Sequence, residues 1–199
     1  MNMAFPRRRS TALSLPNILT YGRVAAVPAV VALLYWPDDV PARLAALILF
    51  VVAAVTDYLD GYFARAYAQS SALGRMLDPI ADKLLVAACL LMLAADGVIR
   101  GPSLWAAIII LCREILVSGL REFLAELKVG VPVSRVAKYK TTVQLVALGF
   151  LIAGPAGEKI LPQTTQIGLI LLWIAAALTL YTGWDYLKSG ISHVIRDDR

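Results

Sequence analysis

Four aspartates between residues 57 and 82 have the spacing of a shared carboxylate site. Asp57 and Asp60 lie three residues apart and Asp78 and Asp82 lie four apart, so on helices the members of each pair share one face. The segment between the two pairs contains the polar run Gln69-Ser70-Ser71, which predicts a short link between two antiparallel neighbouring helices. We therefore expect the four carboxylates to converge on one point.

Clustered carboxylates in a low-dielectric place must either take up protons or bind cations. Ligation by oxygen atoms alone selects hard ions such as Mg²⁺ or Mn²⁺. Two such ions about 3.5–4 Å apart are a common clamp for an in-line displacement at phosphorus. The pattern therefore predicts two divalent cations bound by Asp57, Asp60, Asp78 and Asp82. The alternative is a set of interfacial carboxylates paired with nearby cations, namely Arg65, Arg75 and Lys83.

Small residues and one arginine lie beside these aspartates. Gly61 directly follows Asp60, and Ala64 lies almost one turn further along, which would let a flat group such as a nucleotide base and ribose approach the helix backbone. Arg65 could hold a pyrophosphate oxygen, and Gly74 would relieve crowding where the two helices meet. The alternatives are ordinary helix packing through small residues and an interfacial arginine whose charged end reaches water.

The elements that must position these residues are predicted to be membrane-spanning helices. Of the 199 residues, 59% are hydrophobic and 17% are charged, against about half and about a quarter in an ordinary soluble domain. About 20 apolar helical residues cross the hydrocarbon core of a bilayer, and the apolar runs divide into six such spans. These are approximately Leu15–Trp36, Ala42–Ala68, Asp78–Ile99, Ser103–Leu124, Ser134–Ala153 and Thr165–Lys188.

The boundaries of two spans depend on proline. Asp78 could cap the third helix with Pro79 at its first position, or the helix could begin earlier and kink at Pro79. In both cases Asp78 and Asp82 stay on one side of the helix. The run Gly154-Pro155-Ala156-Gly157 is typical of a turn, and it predicts the end of the fifth span.

Basic residues lie mainly on one side of the predicted spans, which the positive-inside rule assigns to the cytoplasm. With an even number of spans, both termini are then cytoplasmic, and residues 1–14 form a cytoplasmic segment before the first helix. We expect residues 1–199 to form one integral-membrane domain in the cell (inner) membrane. The formal net charge of +5 suits anionic membrane lipids rather than nucleic acid. The opposite side carries only Arg43, Arg100 and Lys159.

The acidic stretch resembles the signature of the CDP-alcohol phosphotransferase family, Asp-x2-Asp-Gly-x2-Ala-Arg-x8-Gly-x3-Asp-x3-Asp, with every fixed position present. The resemblance implies an all-α membrane protein with six transmembrane helices, in which two divalent cations grip the pyrophosphate of a CDP-linked lipid. It also implies that Asp82 is the general base that deprotonates the acceptor hydroxyl, and that CMP is expelled. The implied nucleotide site comprises Asp60, Gly61, Ala64, Arg65, Gly74 and Asp78.

A phosphorylated acceptor requires a cationic pocket beside such a metal site. Arg113 and Arg121 fall in the fourth span, and Lys138 and Lys140 fall at the start of the fifth. We expect these four residues to line the same cavity as the aspartates and to bind the acceptor phosphate. Arg113 lies about 14 Å into its helix, where an unpaired arginine is costly. The alternatives are a pair between Arg113 and Glu114, and surface cations of the positive-inside type for the others.

Three further stretches resemble phosphatidylglycerophosphate synthases: residues 15–23, 113–126 and 131–144. This resemblance implies CDP-diacylglycerol as the donor, sn-glycerol 3-phosphate as the acceptor, and phosphatidylglycerophosphate and CMP as the products. It also implies a homodimer, and it suggests that Asn17, Thr20 and Arg23 approach the nucleotide. For these three residues the alternative is an interfacial helix start with an arginine that reaches water.

Other functions remain open on the sequence alone. Within the family, the acceptor could be an inositol phosphate, serine, or phosphatidylglycerol in a cardiolipin-forming reaction. A cation transporter would also account for carboxylates among membrane helices. Against it, the aspartates cluster towards one membrane face rather than at the midplane, and no broken helices occur at matching places in two halves of the chain.

Overall fold

The computed structural model describes residues 15–67, 72–127 and 135–197. For some of the helical residues it describes the backbone alone, and these are residues 15, 16, 57–67, 72–75, 78, 79, 126, 135, 137, 138, 185 and 189–197. The predicted cytoplasmic segment, residues 1–14, lies outside the described residues.

The described parts of the chain form six helices and contain no strand, which confirms the predicted all-α fold and the number of helices. The helices are α1 (Leu15–Leu34), α2 (Val40–Tyr67), α3 (Ala72–Ala95), α4 (Ser103–Glu126), α5 (Arg135–Glu158) and α6 (Thr164–Asp197). The connection from α1 to α2 contains Pro37, and the connection from α3 to α4 contains Gly97 and Gly101, both with positive φ. Such residues end helices because proline lacks an N–H and glycine tolerates positive φ.

Three of the described helices are long and apolar enough to cross a membrane, judged by length and composition. The apolar segments are Asn17–Leu34 in α1, Ser103–Ala125 in α4 and Thr164–Lys188 in α6. Helix α2 contains a shorter apolar stretch, Val40–Thr56. The remaining lengths of α2, α3 and α5 carry the charged residues that the sequence assigns to the site, which shortens their apolar parts.

The outer surface of the bundle is apolar. Large hydrophobic side chains such as Leu91, Ile115, Ile170 and Trp184 are exposed, with 61–70% of their surface accessible. Water would not favour such a surface, because burying apolar area is the main favourable contribution to folding. Lipid tails solvate it without that penalty, so the outer surface fits a membrane protein.

Two helix boundaries differ from the sequence prediction. Helix α3 begins at Ala72, before Asp78, and its helical backbone continues through Pro79. The interpretation in which Asp78 caps this helix is therefore wrong, and the one with an earlier start is correct. Helix α5 continues to Glu158, but it is interrupted at Gly154, whose φ of 41° and ψ of −131° are not helical. The expected turn is thus a break between two helical segments.

The core draws buried residues from all six helices. Its fully buried residues include Val30 of α1, Leu93 of α3, Leu151 of α5 and Leu172 of α6. Helices α5 and α6 pack most extensively. At Gly168 a Cβ atom would lie 2.8 Å from the side chain of Leu151, so glycine is required for this close approach of helices.

Helices α2 and α3, which carry the two aspartate pairs, make their main described contacts with α1 and α5. Direct packing of α2 on α3 is not among the main helix contacts of the described residues, although the short link led us to expect it. Helix α1 lies along both, and α5 also contacts both. Helices α1 and α5 therefore connect the two helices that carry the aspartate pairs.

A buried arginine holds together the end of the bundle where α2 begins. Arg43 is 2% exposed, its Nε donates to the carbonyl oxygen of Ile152 at 2.9 Å, and its Nη1 donates to that of Pro37 at 3.2 Å. Its Nη2 lies 3.0 Å from Oδ2 of Asp96 and 3.4 Å from the carbonyl oxygen of Leu151. We call these five residues the Arg43 cluster. It joins α2 and α5 to the connections that follow α1 and α3.

Gly154 lies next to the guanidinium of Arg43. A Cβ atom at this position would lie 3.0 Å from Nη2 of Arg43, and the positive φ of Gly154 disfavours any residue with a side chain. The break in α5 at Gly154 therefore allows the guanidinium to lie against the backbone. The sequence assigned Arg43 to the side of the membrane opposite the site, but it gave no sign of this burial.

Candidate active site

The four predicted metal ligands lie on two helices. Asp57 and Asp60 belong to α2, and Asp78 and Asp82 belong to α3. Because both stretches are helical, the members of each pair share a helix face, as the spacing predicts. The side chains of Asp57, Asp60 and Asp78 lie outside the described residues, so the convergence of the four carboxylates stays a prediction. The donor set itself, four carboxylates, has the chemistry that Mg²⁺ or Mn²⁺ prefers.

The predicted nucleotide residues on these helices are described by their backbone alone. Gly61, Ala64 and Arg65 lie in the last two turns of α2, and Gly74 lies in the first turn of α3. They are thus next to the aspartates in the helices, and their contacts with a nucleotide stay a prediction.

Asp82 is half-buried and lines a small cavity of about 30 Å³ between three helices. Other residues of α3, α4 and α5 complete its wall, namely Lys83, Val86, Glu114, Thr141, Gln144 and Leu145. A cavity needs about 10–15 Å³ to hold one water molecule, so this central cavity has room for about two water molecules or for one small polar group of a ligand. The residue that the sequence assigns as general base therefore lies beside a space that the hydroxyl-bearing end of an acceptor could enter.

Two lysines connect the helices around the central cavity. Nζ of Lys83 on α3 contacts the hydroxyl of Ser118 on α4, and Nζ of Lys140 on α5 contacts Oε1 of Glu114 on α4. Glu114 also lies 3.7 Å from Nη1 of Arg113. Glu114 is thus a shared anion for Lys140 and Arg113, as the alternative interpretation of Arg113 proposed.

The two arginines predicted to bind the acceptor phosphate lie against α6. Nη2 of Arg113 donates to the hydroxyl of Thr182 at 2.9 Å, and a Cβ atom at Gly183 would lie 3.0 Å from Cγ of Arg113. The guanidinium of Arg121 lies 5.5 Å from the ring centroid of Tyr186, within the range of a cation–π interaction. Helix α6 therefore provides partners for both arginines.

The predicted phosphate-binding residues thus occupy two places. Lys140 lies beside Glu114 at the central cavity, and Arg113 and Arg121 lie between α4 and α6; none of these three lines the cavity wall. The side chain of Lys138 lies outside the described residues. Their common role in binding a phosphate stays a prediction.

Asn17, Thr20 and Arg23 lie on one side of α1 and are buried, each with at most 2% of its surface exposed. Helix α1 packs against α2 and α3. An arginine that reaches the membrane surface would be exposed, so Arg23 does not fit the interfacial alternative. These polar residues instead lie inside the bundle, on the helix that contacts both aspartate-bearing helices.

The sequence did not predict that Lys83, Thr141 and Gln144 line the cavity beside Asp82. From its sequence position, Lys83 was expected only to pair with the aspartates. Gln144 was only the last residue of the segment 131–144, which resembles phosphatidylglycerophosphate synthases. A signal was present, because Thr141 and Gln144 are polar residues three apart on one face of a largely apolar helix. That both side chains line one cavity follows only from the positions of α3, α4 and α5 around it.

Comparisons with known proteins match most of the chain. The family model described as CDP-alcohol phosphatidyltransferase matches residues 13–181. A protein of Rickettsia typhi named CDP-diacylglycerol–glycerol-3-phosphate 3-phosphatidyltransferase is 49% identical over 88% of this chain and 96% of its own length. A protein of Cereibacter sphaeroides with the same name is 36% identical over 94% of this chain and 99% of its own length. An Arabidopsis thaliana protein with this name followed by the number 2 is 40% identical over 90% of this chain and 80% of its own length.

Proposed function

The chain belongs to the CDP-alcohol phosphatidyltransferase family, and on this basis we propose that it transfers the phosphatidyl group of CDP-diacylglycerol to sn-glycerol 3-phosphate. The products are phosphatidylglycerophosphate and CMP. The observation that carries the proposal is the high identity, over nearly the full length, to relatives named for this reaction. The central cavity lined by Asp82 supports it, because an acceptor must lie beside a base.

Asp82 is the base in the proposed reaction. Its carboxylate takes the proton from the free primary hydroxyl of glycerol 3-phosphate, and the hydroxyl oxygen attacks the lipid-side phosphorus of CDP-diacylglycerol. The new P–O bond forms as the bond to the CMP phosphate oxygen breaks, so CMP leaves with that oxygen. Asp57, Asp60, Asp78 and Asp82 would hold two Mg²⁺ or Mn²⁺ ions, whose charge offsets that of the pyrophosphate.

The remaining predicted residues divide between the two substrates. Near the aspartates, the nucleotide contacts Gly61, Ala64, Arg65 and Gly74 on α2 and α3, while the buried polar face of α1 approaches it from the other side. Support for this second contact comes from the burial of Asn17, Thr20 and Arg23 on the helix that packs against both others. Arg113, Arg121, Lys138 and Lys140 supply positive charge for the acceptor phosphate.

The chain is a membrane protein, and we place it in the cell (inner) membrane with the site and both termini on the cytoplasmic side. Six helices that all cross the membrane return the chain to its starting side. The uneven distribution of basic residues supports a cytoplasmic site, as does the need for a water-soluble acceptor and product. The apolar outer surface provides area for lipid and for a second copy of the chain in a homodimer.

Release of CMP from CDP-diacylglycerol by the protein purified in detergent tests the proposal. We expect release with Mg²⁺ or Mn²⁺ and glycerol 3-phosphate, no release with a chelator, and little release when inositol phosphate, serine or phosphatidylglycerol replaces the acceptor. Faster release with one of these alternatives would assign a different acceptor. No release with any acceptor would contradict transferase activity and favour a cation transporter, which uptake of divalent ions into proteoliposomes would then reveal.

A further inference from the structure

Gln144 contributes an unusual group to the wall of the central cavity. The residue is 3% exposed, and its Oε1 atom has no hydrogen-bond partner among the described residues. Buried polar atoms in native proteins are nearly always hydrogen-bonded, since an unpaired one loses its contacts with water without replacement. An amide oxygen that is buried, unpaired and part of a cavity wall therefore indicates a ligand or a water molecule in the cavity.

The other groups of the wall indicate which part of a ligand lies there. Asp82 and Glu114 are anionic, and Glu114 is in contact with Lys140. Lys83 is the cationic residue among those that line the cavity, and its ammonium group contacts Ser118. A phosphate dianion would face two carboxylates in this cavity. The uncharged, hydroxyl-bearing end of the acceptor suits it better.

The chemistry of an amide oxygen limits which group of a ligand can pair with Oε1 of Gln144. A carbonyl oxygen accepts a hydrogen bond and cannot donate one. An ionised phosphate oxygen also only accepts, so it cannot pair with Oε1 of Gln144. A hydroxyl group can donate to it. In glycerol 3-phosphate the primary hydroxyl gives its proton to Asp82 in the proposed reaction, which leaves the secondary hydroxyl on the adjacent carbon as the donor.

We propose that Oε1 of Gln144 accepts a hydrogen bond from the secondary hydroxyl of the acceptor and so makes Gln144 a determinant of acceptor specificity. This inference rests on the proposed function. Gln144 on α5 and Asp82 on α3 line the same small cavity, so two neighbouring hydroxyl groups at the end of one acceptor can contact both. The contact orients the primary hydroxyl towards Asp82, and an acceptor without the second hydroxyl leaves the amide oxygen unpaired.

The test compares glycerol 3-phosphate with 3-hydroxypropyl phosphate, which keeps the primary hydroxyl and the phosphate but lacks the secondary hydroxyl. For the wild-type protein we expect kcat/KM to favour glycerol 3-phosphate by about tenfold or more, the effect of one hydrogen bond in a buried site. In Gln144→Leu the ratio should fall to near one, mainly through loss of activity on glycerol 3-phosphate. The KM for CDP-diacylglycerol should not change.

Controls separate this role from a structural one. Gln166→Leu changes an exposed glutamine of α6 and should leave the ratio as in the wild type. Equal losses on both acceptors in Gln144→Leu would indicate a packing role and overturn the proposal. The wild-type ratio needs no variant, so it can overturn the proposal even if Gln144→Leu does not fold. A ratio near one would assign Oε1 to a water molecule and overturn the proposal. If the wild type releases CMP with neither acceptor, the proposed function fails and the role of Gln144 fails with it.

Discussion

The Arg43 cluster and the central cavity are two buried polar regions that both include residues of α5, and they are built differently. Asp96 of the cluster and Asp82 of the cavity are 14 positions apart, about 21 Å along a helix. In the cluster, the guanidinium has as partners three backbone carbonyls and a carboxylate, which it contacts as an ion pair without a hydrogen bond, and a Cβ atom at Gly154 would lie 3.0 Å from it. In the cavity, a space of about 30 Å³ and the amide oxygen of Gln144 are left for a water molecule or for part of a ligand.

The difference teaches how a small membrane protein can bury polar groups for two purposes. A charge with all of its partners inside the protein holds helices together, and removing a partner destabilises the fold. An unpaired polar atom beside a cavity, such as Oε1 of Gln144, gains a partner only when another molecule binds. We therefore expect substitutions in the Arg43 cluster to change stability, and substitutions around the cavity to change activity.

The largest effect is expected at Asp82. Asp82→Asn removes the proposed base and should lower the rate of CMP release by about 10²–10⁴-fold, the usual contribution of general base catalysis. The apparent melting temperature and CDP-diacylglycerol binding should stay close to those of the wild type. Initial rates with saturating substrates and a binding assay with the labelled lipid measure both. A rate within about tenfold of the wild type would remove Asp82 from the role of base.

Arg43→Met should have the largest effect on stability. It leaves Asp96 buried without its ion-pair partner, and breaking a buried pair typically costs about 3–5 kcal/mol. Thermal unfolding in detergent, followed by circular dichroism, should show a large fall in melting temperature, while the kcat of the folded fraction stays near that of the wild type. Arg100→Met, at an exposed arginine near the same end, is the matched control and should change little. Equal melting temperatures for the two variants would refute a stabilising role for the Arg43 cluster.

Gly154→Ala should weaken the same cluster by a smaller amount. The new Cβ atom would lie 3.0 Å from Nη2 of Arg43, in a backbone conformation with φ of 41°, so we expect a loss of about 1–3 kcal/mol. Gly149→Ala, where a Cβ atom would meet only Leu47 at 3.9 Å, provides the control on the same helix and should be neutral or stabilising. Chemical denaturation of both variants measures the difference, and a Gly154→Ala protein as stable as Gly149→Ala would show that the break in α5 is not required.

The smallest effect is expected at Lys138, which we assign to the acceptor phosphate. Lys138→Ala should raise the apparent KM for glycerol 3-phosphate by about tenfold, because a charge-assisted hydrogen bond contributes about 1.5–3 kcal/mol. The KM for CDP-diacylglycerol should rise less. Steady-state kinetics with each substrate varied in turn measures the two values. The reverse order would move Lys138 to the nucleotide site.

The sequence predicted the helices well because long apolar runs determine them almost alone. It predicted less about helix ends, where local signals compete. Pro79 allowed a helix start at Asp78, yet α3 begins at Ala72, because proline is compatible with a helix whose neighbours compensate for the missing hydrogen bond. At Gly154 the turn signal was correct, but the helix resumes after it.

Less of the candidate site follows from the sequence, for a similar reason. The spacing of the aspartates predicts which helices and faces carry the chemistry, and Asp82 lines a cavity in the structure. Gln144 and Arg43 each depend on several elements that are distant in sequence. Nothing near Arg43 indicates that its partner is the carbonyl of Ile152, 109 residues away. Every residue has a backbone carbonyl, so the sequence does not show which of them accepts a hydrogen bond.

The distance between Arg43 and Ile152 along the chain has a consequence for biosynthesis. The ribosome makes α2 long before α5, so the guanidinium is inserted while its carbonyl partners on α5 do not yet exist. A buried arginine is costly without partners, and among the partners described here only Asp96 and the Pro37 carbonyl are present until α5 is made. The arrival of α5 therefore completes the Arg43 cluster, and a nascent chain arrested before it would present an incompletely neutralised charge to the membrane quality-control machinery.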